Sequence, residues 1–172
     1  MSKISVLHAA WLALLVAPGL GAAAELTGAV GMTSQAGMTY RLGISQPWEK
    51  RWFSSETGHL TGYWDAAYTY WQGGDEGSGA HSLSFAPVFV YEFNGERFQP
   101  YIEFAIGVAA FSSSRVGDRA LGSSLNFEDR LGVGVRFGEH RLGLRVMHYS
   151  NAGLKDPNDG IESYSLHYSR TF

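Results

Sequence analysis

From Glu25 onward, large apolar side chains alternate with small or polar ones at a period of two residues. Successive side chains of a strand point to opposite faces, so this alternation predicts strands and argues against helices. We count eight segments of this kind before the C-terminal Phe172. Tight turns follow the fourth and sixth strands, at Asn94-Gly95 and Gly138-Glu139, and the longer polar loops follow odd-numbered strands.

The face opposite the large apolar residues carries charges of both signs. A core of hydrocarbon side chains would not accept such charges unpaired, so the apolar face must point outward and the charged face inward. The inward charged residues are Arg41, Asp65, Glu92, Glu103, Glu128, Arg130, Arg136 and Arg145. This arrangement predicts an all-β fold, an eight-stranded antiparallel transmembrane β-barrel of the outer-membrane type, filled by ion pairs and without a pore.

Aromatic residues near the strand ends, such as Tyr70, Trp71 and Tyr168, are expected to lie in the interfacial girdles of the membrane. The alternative fold is a soluble lipocalin-like barrel, with the charges in water and the aromatics around a ligand cavity. The chain has 10 Phe and 9 Tyr, more than a small cavity would hold. The membrane barrel is therefore the favoured prediction.

The N-terminus predicts export of the chain. Lys3 precedes an apolar run from Val6 to Val16, and small residues follow up to Ala24, as in a signal peptide cleaved after that residue. The run is about half of the roughly 20 residues that a transmembrane helix needs. Residues 1–24 are predicted to be a signal peptide and residues 25–172 the barrel. The formal net charge of −3 argues against a nucleic-acid partner, and the absence of cysteine excludes disulfides and thiol chemistry.

Three residues on the apolar face have the chemistry of a Ser-His-acid triad. His148 and Ser150 share a face of the seventh strand, and Glu162 lies in phase with the apolar residues of the eighth. Neighbours on one face of a strand are about 7 Å apart and adjacent strands about 5 Å apart, which is within triad reach. The alternative is that these are polar residues at the headgroup level. No metal or cofactor is predicted, because the other histidines are scattered along the chain.

Two further features near the triad remain open from the residues alone. A two-residue turn at Gly138-Glu139 would set Asp129 opposite His148 as an additional acid, whereas a β-bulge would turn Asp129 inward toward the lumen arginines. After Ser150, backbone N–H groups around Asn151 and Gly153 leave the ladder and could form an oxyanion hole. Alternatively, these two residues merely end the strand. Asn151 itself has the parity of the opposite face.

Several segments resemble the outer-membrane lipid A 3-O-deacylase family (PagL). They are His148-Tyr-Ser-Asn-Ala-Gly-Leu-Lys, Pro-Asn-Asp-Gly-Ile-Glu-Ser-Tyr-Ser at 157–165, Leu-Asn-Phe-Glu-Asp-Arg at 125–130, Gly-Met-Thr-Tyr-Arg-Leu-Gly at 37–43 and Leu-Thr-Gly-Tyr-Trp-Asp at 60–65. The resemblance implies a serine hydrolase that removes the ester-linked 3-hydroxyacyl chain at position 3 of lipid A. It also implies that His148, Ser150 and Glu162 form the triad, with the oxyanion hole in the loop of Asn151 and Gly153.

The expected function is therefore lipid A deacylation at the lipid-facing outer end of the barrel, in the outer membrane of a Gram-negative cell. Lipid A or lipopolysaccharide is the expected substrate, with outer-membrane lipids as neighbours and a homodimer left open. Two other functions are considered. One is a non-catalytic structural or adhesive barrel, and the other is an outer-membrane phospholipase with the same triad.

Overall fold

The computed structural model describes residues 24–34, 37–74 and 77–172. Apart from Ala24, the predicted signal peptide lies outside the described residues. The strands are β1 (Glu25–Thr33), β2 (Met38–Pro47), β3 (Gly58–Trp71), β4 (Ala80–Phe93), β5 (Gln99–Phe111), β6 (Arg115–Val116), β7 (Arg119–Ala120), β8 (Leu125–Phe137), β9 (His140–Ser150) and β10 (Ile161–Thr171).

Eight of these strands close into a barrel, and the predicted fold class is confirmed. Each barrel strand pairs antiparallel with its neighbour in the order β1-β2-β3-β4-β5-β8-β9-β10, and β10 returns to β1. The large apolar residues point outward, with Leu83 65% and Ile106 69% exposed, so the soluble barrel with an oily interior is wrong. In the described part of the chain, no helix has the length and apolar character needed to cross a membrane.

The inside of the barrel is filled by three groups of buried ion pairs, the third of which joins Glu92 to Arg141 at 3.0 Å and to Arg136 at 3.3 Å. In the first, Asp65 accepts hydrogen bonds from Arg41 at 2.8 Å and from Arg130 at 2.6 Å. Glu128 completes this group, 2.6 Å from Arg130 and 3.3 Å from Arg41. In the second, Glu103 pairs with Arg145 and accepts a hydrogen bond from the Tyr63 hydroxyl at 2.8 Å. The lumen is therefore packed with paired charges, as the sequence predicts.

The end of the barrel that bears the longer loops is closed by an apolar cluster. It consists of Trp71, Ala80, Ala109, Phe111, Val116, Leu121, Met147, Tyr149 and Ile161. The expectation that Trp71 lies in the membrane girdle is wrong, because its side chain points into the barrel and is fully buried, while its neighbour Tyr70 faces outward. The loop after β5, one of the longer loops expected to be polar, contains the β6–β7 hairpin. Val116 of this hairpin and Leu121 directly after it belong to the cluster.

Replacing Asp65 by alanine is expected to destabilise the barrel by about 3 to 5 kcal/mol, because Arg41 and Arg130 would then share the single carboxylate of Glu128. The measurement is the urea midpoint of the folded band in heat-modifiable gel mobility. Glu96→Ala is the matched control, since Glu96 is exposed in the β4–β5 turn. Equal midpoints for the two variants would mean that the lumen ion pairs do not stabilise the barrel.

Candidate active site

His148 and Glu162 face each other across neighbouring strands on the outer wall of the barrel. They are directly paired in the β9–β10 ladder, and both side chains are half-buried. The distance from His148 Nδ1 to Glu162 Oε1 is 2.9 Å. The second carboxylate oxygen, Oε2, accepts a hydrogen bond from the Ser34 hydroxyl at 3.2 Å. The carboxylate is thus held from two sides, and it orients the imidazole ring.

Ser150 lies two residues beyond His148 on the same outward face, opposite Phe127 of β8. Since Nδ1 of His148 is directed to Glu162, the other ring nitrogen, Nε2, remains available to a neighbouring hydroxyl. Among residues 24–34, 37–74 and 77–172, the structure shows no hydrogen bond to the Ser150 hydroxyl. The structure therefore places the three predicted residues on one surface, and two of them, His148 and Glu162, are hydrogen-bonded to each other.

Gly160 packs directly against the imidazole of His148. A Cβ atom built on Gly160 would lie 2.8 Å from His148 Cε1, and the backbone φ of Gly160 is +66°. Both the contact and the backbone angle favour glycine at this position. The sequence analysis did not single out Gly160, although its place directly before the strand that carries Glu162 was visible in the sequence.

Asp129 lies opposite His148 on the other side, in the β8–β9 ladder. Phe137 pairs with His140 across the turn, so Gly138-Glu139 is a two-residue connection and the register continues unbroken to Asp129. The inward bulge is therefore wrong, and Asp129 is exposed on the outer face. His148 lies between two carboxylates, and the one to which it is hydrogen-bonded belongs to Glu162.

Asn151 turns inward and organises the loop after the serine. Its side-chain nitrogen, Nδ2, donates to the carbonyl of Leu121 at 2.8 Å and to that of Lys155 at 2.7 Å, and Oδ1 accepts from the Lys155 N–H at 3.3 Å. The backbone N–H of Asn151 donates to Oδ1 of Asn158 at 3.0 Å. The carboxamide is buried and points away from the triad, in agreement with its parity.

The next two residues form a tight turn. Ala152 has a φ of 55° and Gly153 a φ of 74°, and the N–H of Leu154 donates to the carbonyl of Asn151 at 3.1 Å. Two central residues with positive φ are typical of a type I′ turn, in which alanine is strained and glycine is not. Gly153 has open space around its α-carbon. The turn therefore projects its own backbone beside Ser150.

The β6–β7 hairpin is hydrogen-bonded to this loop. The N–H of Ala120 donates to Oδ2 of Asp159 at 2.9 Å, and the N–H of Asp159 donates to the carbonyl of Ala120 at 3.1 Å. A Cβ on Gly122 would lie 1.9 Å from the carbonyl oxygen of Pro157, so the two segments touch at the backbone. The loop is consequently anchored at residues 151 and 159, on both sides of its tip.

The other described histidines are used elsewhere. His81 bonds to Tyr68, His140 to Tyr168, and His167 to Tyr101, each through a tyrosine hydroxyl. His59 lies 3.5 Å from Glu92 in the lumen. Among the residues that the structure describes, no group of three or more His, Cys, Asp or Glu side chains is arranged to hold a metal ion.

Comparisons with known proteins agree on one family. The family model described as Lipid A 3-O-deacylase (PagL) matches residues 34–171. Lipid A deacylase PagL of Pseudomonas aeruginosa is 67% identical over 147 residues, covering 85% of this chain and 85% of that protein. Lipid A deacylase PagL of Bordetella bronchiseptica is 33% identical over 154 residues, covering 81% of this chain and 85% of that protein.

Solved structures give the same result. The crystal structure of the outer membrane enzyme PagL has a TM-score of 0.83 and 66% sequence identity to this chain, covering 85% of it and 98% of the crystallised chain. A de novo designed transmembrane β-barrel has a TM-score of 0.54 at 12% identity, covering 90% of this chain and 98% of the design. The second likeness concerns the fold alone.

Replacing Gly160 by alanine is expected to push the His148 ring away from Glu162 and to lower ester hydrolysis by roughly a hundredfold, because small misplacements of a catalytic group are costly. Gly138→Ala is the matched control. Gly138 also has a positive φ, of 57°, but lies at the opposite end of the barrel with open space around it. If both variants lose hydrolysis equally, the loss comes from backbone strain and not from the contact with His148.

Proposed function

The chain belongs to the lipid A 3-O-deacylase family, and from this premise we propose that it acts as a serine esterase through Ser150, His148 and Glu162. It is an outer-membrane hydrolase whose substrate is lipid A. The observation that carries the proposal is the 2.9 Å hydrogen bond between His148 and Glu162 on the outward wall, with Ser150 on the same face of β9. Because this pair lies on the outer wall, it is not part of the buried ion pairs that fill the lumen.

In the proposed reaction, Ser150 Oγ attacks the carbonyl carbon of the 3-O-acyl ester while Nε2 of His148 takes the serine proton. The tetrahedral intermediate collapses to an acyl-enzyme, and the imidazolium gives its proton to the departing sugar oxygen. A water molecule, activated by the same histidine, then hydrolyses the acyl-enzyme and releases the 3-hydroxy fatty acid. In this proposal the hydrogen bond between Ser150 and His148 forms when bound substrate excludes water from the site.

Glu162 has the role of the orienting acid. It holds the His148 proton on Nδ1, so that the lone pair of Nε2 faces the serine, and it stabilises the imidazolium that forms. Ser34 is a positioning residue for this acid, because its hydroxyl fixes the carboxylate oxygen that the histidine does not use. Asp129, on the other side of His148, contributes negative charge without a hydrogen bond to the ring.

The fatty acyl chain has an apolar path next to the triad. A groove of about 440 Å³ runs along the outside of β1, β10 and β9 and is lined by Val30, Met32, Met38, Leu144, Val146, Tyr164 and Leu166. Val146 and Tyr164 are the next outward residues below His148 and Glu162 on their strands. An ester at Ser150 would therefore leave its hydrocarbon chain in contact with the barrel wall, within the outer leaflet.

The oxyanion donors come from the loop after the nucleophile. Asn151 is a positioning residue in this proposal, because both ends of its carboxamide are engaged within the loop. The remaining donors are the backbone N–H groups of Ala152 and Gly153 and the Nδ2 group of Asn158. Asn158 Oδ1 accepts from the N–H of Asn151, which places its amide nitrogen beside the residue that follows the nucleophile.

Ser150→Ala and His148→Ala are each expected to abolish the release of 3-hydroxy fatty acid, and the double variant is expected to lose little more than either single one. Residues that act in the same step are not additive. The measurement is mass spectrometry of lipid A from cells that express each variant, with heat-modifiable mobility to show a folded barrel. If the double variant loses the sum of the two single losses in free energy, the two residues do not act in the same step.

The same extracts distinguish the alternative functions. Lysophospholipid without loss of an acyl chain from lipid A would make the enzyme a phospholipase, and no product of either kind would favour a structural barrel.

The two carboxylates beside His148 form a matched pair for testing the acid. Glu162→Gln removes the charge from the carboxylate that bonds to His148 and is expected to lower turnover by about a thousandfold or more. Asp129→Asn removes a charge from the residue paired with His148 in the other ladder, without breaking a hydrogen bond to the ring, and should cost less than about tenfold. The measurement is kcat on purified lipid A. A larger loss for Asp129→Asn would show that Asp129 is the acid.

Asn158→Asp is expected to lower kcat by roughly a hundredfold, because it keeps the acceptor for the Asn151 N–H but removes the amide donors and adds a negative charge. Asn94→Asp is the control, since Asn94 lies in an exposed turn at the other end of the barrel. Turnover of Asn158→Asp close to that of the wild type would leave the backbone N–H groups of Ala152 and Gly153 as the oxyanion donors.

A further inference from the structure

Arg119 lies at the rim of the proposed active site. It belongs to β7, and its guanidinium Nη1 donates to the carbonyl oxygen of Asp159 at 3.5 Å. Asp159 directly precedes Gly160, where an added Cβ would lie 2.8 Å from Cε1 of His148. The cation is therefore placed beside the short segment that supports the catalytic histidine, at the end of the barrel where Ser150 and Glu162 lie.

The position of Arg119 is fixed by the structure around it. Its neighbour Ala120 exchanges two hydrogen bonds with Asp159, and one of these occupies the Asp159 carboxylate. Val116, the ladder partner of Arg119, and Leu121 are buried in the apolar cluster that closes the barrel mouth. The hairpin thus holds the arginine over the loop that follows the nucleophile.

The substrate has an anionic group that can reach this position. Lipid A is a phosphorylated glucosamine disaccharide, and the sugar that carries the 3-O-acyl ester also carries the phosphate at position 1. A guanidinium binds phosphate with two parallel charge-assisted hydrogen bonds, which makes arginine suited to this group. The ester and the phosphate are on the same sugar ring, so when the ester lies at Ser150 the phosphate lies close to the active site, in the headgroup layer.

We propose that Arg119 binds the 1-phosphate of lipid A and so positions the 3-O-acyl ester at Ser150. This inference rests on the proposed lipid A deacylase function and adds the group by which the enzyme selects its substrate. Arg119 contributes to binding and orientation, while the bond changes remain with the triad. The phosphate is recognised at the rim, and the acyl chain lies along the barrel wall.

The test compares lipid A with its 1-dephosphorylated form as substrates for the purified full-length barrel in detergent. Arg119→Gln is expected to lower kcat/KM on lipid A by about tenfold, mainly through KM, since that is roughly the contribution of a hydrogen bond to a charged group. On the 1-dephosphorylated substrate the same variant should equal the wild type within about twofold. Arg119→Lys should recover part of the loss, because lysine keeps the positive charge but lacks the paired N–H donors of the guanidinium.

Arg115→Gln is the matched control. Arg115 is the other arginine of this hairpin, and its guanidinium donates to the carbonyl of Asp118 at 3.0 Å, within the hairpin's own turn. It should leave kcat/KM unchanged on both substrates. An equal loss for Arg119→Gln on both substrates would make Arg119 a structural clamp, and no loss on either would remove it from the site; both results overturn the proposal. Absence of acyl release by the wild type would instead overturn the proposed function.

Discussion

The pairing of buried charges inside the barrel is the constraint on which the rest of the structure depends. Asp65 and Glu128 neutralise Arg41 and Arg130, and Glu103 neutralises Arg145, all with almost no exposure to solvent. Removing an ion from water is so costly that these residues are stable inside only as a connected group. Once they occupy the lumen, the strand alternation leaves the apolar residues no place except the outer wall.

That inversion explains why the proposed catalytic residues lie on the outside of the molecule. His148, Ser150 and Glu162 have the parity of the outward residues Val146 and Tyr164, so the proposed site faces lipid and not an internal cavity. A substrate confined to a leaflet can reach such a site by lateral diffusion, without leaving the membrane. The strand ladder also gives the site rigidity, because the His148–Glu162 pair is fixed by the register of β9 and β10.

The parts predicted from the sequence are those that depend on period-two alternation. The parity argument placed Glu162 and His148 on the same outward face and turned Asn151 away, and the alternative with a two-residue turn at Gly138-Glu139 set Asp129 opposite His148. What the sequence did not predict depends on contacts between distant segments. Trp71 closes the barrel mouth together with Leu121, and the carbonyl of Leu121 accepts a hydrogen bond from Asn151. Local periodicity contains no information about such partners, since they lie in loops without a repeating pattern.

The same contacts join the barrel mouth to the site. Leu121 is fully buried in the apolar cluster, while its own carbonyl and its neighbour Ala120 hold the loop after Ser150. Packing of the hairpin into the mouth therefore fixes the loop that contains the proposed oxyanion donors and Gly160. Without these hydrogen bonds to the hairpin, the loop would be held only by β9 and β10, and local opening would displace its backbone N–H groups. The apolar cluster thus closes the mouth of the barrel and also preorganises the loop after Ser150.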